Sequence, residues 1–150
     1  MARINDSGDN KRKHLEIIQA VINRMASNSF LFKGWSITII AGISAFATQD
    51  SNGLLMIVPI VATLLFWGVD AYYLMLERAF RNLYDEVRLK KESEIDFELK
   101  IADTGFRVWL GTAVTRPILW LFYLTVLVML VALTLSLNDI GIKIDFIHGS

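Results

Sequence analysis

The chain has 150 residues, no cysteine, and 15 basic residues balanced by 15 acidic ones. The length allows one domain at most, and the lack of cysteine excludes disulfides, thiolate zinc sites and cysteine nucleophiles. The neutral sum hides segregation. Nearly all the charge lies before Lys33 and between Glu77 and Arg116, so it speaks to membrane topology rather than to a nucleic-acid partner.

The first residues, MARINDSGDNKRKH, are polar and lack the plan of a secretory signal peptide. Residues Met1–Asn10 are expected to be disordered. From Lys11 to about Asn28, Leu15, Ile18, Val21, Ile22 and Met25 follow helical spacing and predict an amphipathic helix. That helix either lies on the membrane surface or packs on other cytosolic helices. Phe30–Thr48 is a first predicted span of about 19 residues, enough to cross a hydrocarbon core of about 30 Å. Lys33 and Trp35 mark its start, where a snorkelling amine and an interfacial indole belong. Gly34, Thr38, Ala41, Gly42 and Ala45 share one face of small residues, which is expected to be a helix–helix contact.

Gln49–Gly53 is a short polar turn, so spans one and two form a hairpin. The second span runs from Leu54 to about Leu76, with Pro59 as a candidate kink and Trp67, Tyr72 and Tyr73 toward its far end. The helical stripe then continues through Phe80, Leu83, Tyr84 and Val87 to about Lys91. Ser93 is placed to start a returning cytosolic helix, with a break at Gly105 and an interfacial segment at Phe106–Val114. Arg116-Pro117 is a helix start signal, and the third span follows at Ile118–Leu137, leaving Asn138–Ser150 as a tail. The predicted fold is all-α: three transmembrane helices, an amphipathic N-terminal helix and a cytosolic helical hairpin. Lys and Arg concentrate before span one and between spans two and three, which predicts a cytosolic N-terminus and an outside C-terminus.

No phosphate-binding glycine loop, HExxH or nucleophile elbow occurs, so no enzyme activity, cofactor or metal is expected. His14 and His148 fall on opposite sides of the membrane in this topology, each as a surface residue. Asp70 is the one acidic residue inside a predicted span and the membrane-embedded functional candidate. It either pairs with Lys33, Arg107 or Arg116, or serves an oligomer as a polar ring or gate.

The runs RMASNSFLFKGWSITIIAGISAFA, LLFWGVDAYYLMLERAFRNLYDEVR and TRPILWLFYLTVLVMLVAL resemble a group of small, mostly uncharacterised bacterial three-span membrane proteins. Their shared run is carried here by Asp70, Tyr72, Leu74, Glu77, Arg78, Phe80, Arg81, Leu83 and Tyr84, and the resemblance covers most of residues 14–135. Some such proteins resemble membrane effectors of anti-phage defence. The resemblance implies a protein of the bacterial inner membrane that forms a pore or perturbs the bilayer on a signal; a homo-oligomer is expected from the sequence itself, because three spans cannot enclose a polar path alone and the small-residue face of span one exceeds what one neighbour needs. That signal would come from a cytosolic sensor protein or a small ligand. The alternative expectation is a membrane anchor that recruits a soluble partner through its cytosolic helices.

Overall fold

The computed structural model describes residues 8–49, 54–102 and 104–148, with 138–148 as backbone only. Four α-helices follow in order: α1 (Asp9–Ala47), α2 (Ile57–Leu89), α3 (Phe106–Thr115) and α4 (Pro117–His148). Short 3₁₀ turns occupy Leu54–Met56 and Glu92–Glu94, and no strand forms among the described residues. Three stretches, Asp9–Ala47, Leu54–Leu89 and Pro117–Leu137, are long and apolar enough to cross a membrane. The turn expected at Gln49–Gly53 falls mostly outside the described residues, as does most of the segment Met1–Asn10.

The amphipathic helix and first span expected on either side of Ser29 are one helix. Polarity at Asn28 and Ser29 suggested a boundary, but neither residue breaks a helix. Each costs well under about 1 kcal/mol relative to Ala, and no Pro or Gly occurs between Gly8 and Gly34. Pro59 does not fall at a kink position. With α2 starting at Ile57 it sits in the first turn, where its missing N–H is an orphan in any case. Helix α4 begins at Pro117 as expected and runs on to His148, through the segment expected to be a tail.

The returning helix expected from Ser93 does not form. After the 3₁₀ turn the described residues of this connector, 95–102, 104 and 105, are non-helical. Local hydrogen bonds divert it. The Glu94 carboxylate accepts from the Lys91 N–H at 3.1 Å and caps the 3₁₀ turn itself, whereas the Asp96 carboxylate accepts from the Glu98 N–H at 3.0 Å and turns the chain away from a helix. Phe97 takes a φ of 57°, which no right-handed helix accommodates. Such side-chain bonds compete with helix formation. The Glu98 N–H, helped by Lys90, holds the exposed Asp96 carboxyl below its ordinary value of 3.8. Because the folded value is depressed, this contribution is present above pH 3.8 and is lost as pH falls through the lower folded value.

The chain forms two compact units, to both of which α1 and α2 contribute. The first comprises Met1–Phe30 and Ala71–Thr112. Its core is Ile18 and Ile22 of α1 against Leu83 and Val87 of α2, with Ile95 and Ile101 of the connector packed on it. The amphipathic start of α1 therefore packs on protein, the second of the two alternatives. His14 is fully buried, not a surface residue. Its Nε2–H donates to the Glu98 carbonyl at 3.2 Å, and its ring lies against Phe97 at 5.4 Å. Its Nδ1 has no hydrogen-bond partner among the described residues. An open groove of about 580 Å³ runs beside Lys11, Leu15, Gln19, Asn23 and Tyr84.

The connector also caps α1. The Glu92 carboxylate accepts from the backbone N–H groups of Asn10 at 3.0 Å and Lys11 at 3.3 Å. The Lys11 ammonium donates back to the Lys90 carbonyl at 2.9 Å. A carboxylate on free amides at the positive end of a helix is favourable on both counts. Replacing Glu92 with Ala is expected to cost about 1 kcal/mol. It should speed hydrogen exchange at the Asn10 and Lys11 amides while leaving Val87 protected. Unchanged exchange at those two amides would refute the cap.

Candidate functional site

The second unit comprises Leu31–Asp70 and Ala113–Ser150. Its apolar core is Ile40, Ala47, Met56 and Leu130, with Ile60, Phe66 and Val126 around it. Among these apolar helices sits one charged cluster, with one residue from each. Lys33 of α1 places its Nζ 2.6 Å from Asp70 Oδ2 of α2. The Tyr123 hydroxyl of α4 donates to the same oxygen at 3.2 Å. The Asp70 side chain is fully buried and that of Lys33 is 20% exposed, while Tyr123 is fully buried.

Neighbouring side chains fix the geometry. Trp67, one turn before Asp70, stacks on the Tyr123 ring at 6.0 Å and an interplanar angle of 8°. Its indole N–H donates to the Ala113 carbonyl at 3.1 Å, which ties it to the segment preceding α4. Ser36 is fully buried one turn after Lys33, and its hydroxyl donates to the Lys33 carbonyl at 2.8 Å. Desolvating two unit charges costs several kcal/mol per ion, so the pair is tolerable only with close contact and added hydrogen bonds. Both conditions hold here.

Of the three bases considered for Asp70, Lys33 makes the contact. Arg107 lies in the first unit, at an exposed position of α3. Arg116 immediately precedes α4, and its Nε is buried with no hydrogen-bond partner among the described residues. The small-residue face is not where α1 packs within the chain. Gly34, Thr38, Ala41, Gly42 and Ala45 are all exposed. A Cβ added at Gly34 or Gly42 would meet nothing within 4 Å. The packed face is instead Ser36, Ile40, Ser44 and Ala47. Ser44 is accommodated there because its hydroxyl returns to the Ile40 carbonyl at 2.7 Å.

Tyr123 was the residue that sequence reasoning missed. A phenol in a charge-free span needs a partner for its hydroxyl. Depth supplies the clue. Tyr123 lies six residues after Pro117, and Asp70 six residues before Leu76. Each is therefore about 9 Å inside the corresponding end of its apolar run. Trp67 reads as an interfacial residue in sequence, yet it serves as a wall of the cluster.

Among the described residues no three His, Asp or Glu side chains gather to hold a metal ion. Within the cluster the ammonium and the carboxylate are engaged with each other. What the arrangement does is electrostatic: it fastens three apolar helices at one level. No protein-family model, curated protein or solved structure matches the chain, so the comparisons assign neither a family nor residue roles.

Losing one partner of a buried pair strands the other. Asp70→Asn is therefore expected to destabilise the helical fold by about 3–5 kcal/mol, measured by unfolding in bicelles. Tyr123→Phe, which removes one hydrogen bond to a charged acceptor, should cost about 1.5–3 kcal/mol. Equal, negligible losses in both variants would show that the cluster is not holding the helices.

Proposed function

We propose that this chain is a non-enzymatic, multi-pass protein of the bacterial inner membrane that works as a homo-oligomer. In this reading it is an effector that opens or perturbs the bilayer when its cytosolic first unit receives a signal from a protein or a small ligand. The observation that carries the reading is the uncovered surface of the second unit. Only 17%, 28% and 17% of the best apolar window in each candidate span is buried within the chain. The face of α1 from Gly34 to Ala45 is open along its length. Small residues four apart let helix backbones approach closely, which is how helices associate in lipid. The distribution of Lys and Arg supports a cytosolic N-terminus and an outside C-terminus.

A membrane anchor for a soluble partner is the second reading, and one observation favours it. Asp70 is neutralised by Lys33 within its own chain, which leaves it no evident role as a charged ring on a pore axis. The two readings separate on membrane potential. An effector collapses the potential of cells expressing it under activating conditions. An anchor leaves the potential intact and co-purifies with a soluble protein in fixed stoichiometry.

Gly34→Leu and Gly42→Leu test the shared element of both readings, the oligomer. An added Cβ meets nothing within 4 Å at either position and both positions are exposed, so the helical fold and its thermal stability should be unchanged. Self-association in bilayers, followed by energy transfer between labelled copies, should weaken at least about tenfold, the equivalent of about 1.4 kcal/mol. Undiminished transfer in both variants would remove this face as the contact.

A further inference from the structure

The start of α3 exposes large apolar side chains where the first unit offers them no cover. Phe106 is 71% exposed and Leu110 45% exposed. One turn apart, they share a face with Trp109, whose ring lies 5.3 Å from that of Phe106. Arg107 is exposed beside them. Contiguous aromatic and aliphatic exposure of this kind marks an interaction surface.

We propose that this surface takes phospholipid: α3 lies in the plane of the membrane, Phe106 and Leu110 enter the boundary between headgroups and acyl chains, and Arg107 bonds lipid phosphate. Chain connectivity selects the occupant. Helix α3 ends at Thr115 and the charge-free apolar stretch begins at Pro117. Two residues span at most about 7 Å, so the C-terminal end of α3 is held at the surface that α4 enters. Its ten residues make about 15 Å of helix, too short to cross a core of about 30 Å. An apolar face with an indole and a guanidinium at its margin suits the interfacial layer. The proposal rests on the reading of α4 as a membrane span.

The absence of native cysteine makes the test direct. The variants Leu110→Cys, Val108→Cys and Val128→Cys of the full chain are spin-labelled. Each is reconstituted in vesicles of mixed phosphatidylcholine and phosphatidylglycerol. Accessibility to oxygen, which partitions into lipid, is compared with accessibility to a water-soluble nickel complex. Val128, on an exposed face of α4, should report the deep hydrocarbon. Leu110 should report shallow acyl depth, with an oxygen-to-nickel ratio several-fold above that at Val108, on the opposite face. A deep Val128 with Leu110 and Val108 equally open to water overturns the lipid-seated helix alone. Spin–spin broadening at Leu110 overturns it in favour of a second copy. A water-exposed Val128 overturns the span reading, and the proposal with it.

Discussion

A carboxylate buried among apolar helices has few tolerable arrangements, and the second unit is built around one of them. Asp70 is fully buried, so its charge demands an opposite charge and further donors within reach. Lys33 meets the first demand at 2.6 Å and Tyr123 the second at 3.2 Å. Because the three residues come from three different helices, the demand becomes a constraint on the fold. Apolar packing between helices is non-directional and tolerates sliding and rotation. A charge with two specified partners does not. Sliding α1 against α2 by a turn, about 5.4 Å, would separate the ion pair, and sliding α4 by as much would remove the Tyr123 hydrogen bond. Trp67 extends the constraint by stacking on Tyr123 and bonding the Ala113 carbonyl.

The first unit solves a different problem by related means. Its helices pack through Ile18, Ile22, Leu83 and Val87, and its non-helical connector is held by polar contacts to the start of α1. Glu92 serves as a cap supplied from elsewhere in the chain, and the buried His14 fastens the Glu98 carbonyl. These contacts join residues about eighty positions apart in sequence. They hold a segment that a returning helix would otherwise have occupied.

The helices were legible in the sequence because each is a long apolar or amphipathic run with few breakers. The α4 start at Arg116-Pro117 and the extension of α2 well past Leu76 follow from local rules about proline and helical stripes. Three features were not legible. The continuity of α1 through Ser29 was masked because polar residues suggest boundaries that only Gly or Pro enforces. The connector after Glu94 carried helix-start signals, yet the Asp96 side chain took the Glu98 N–H and Phe97 adopted a left-handed angle. The face of α1 that packs within the chain carries no small-residue signal, because the small residues lie on another face that stays exposed. Within the chain the helix packs through Ile40 and two serines that satisfy themselves on their own backbone. Asp70 and Lys33 stood out as charges in apolar runs. Tyr123 did not, since a tyrosine in a span carries no signal until its depth is matched to that of the acid.

Lys33 and Asp70 hold the apolar helices together as a pair, and a double-mutant cycle in bilayers measures this directly. Lys33→Met, Asp70→Leu and the combined variant are unfolded under identical conditions, and the coupling free energy is taken from the four stabilities. Each single change leaves an unpaired buried charge, whereas the double change leaves two apolar side chains of similar bulk. A large coupling is expected: both single variants lose several kcal/mol, on the order of 3–5, and the double variant recovers most of it. Additive losses, with the double variant as unstable as the sum of the singles, would contradict it.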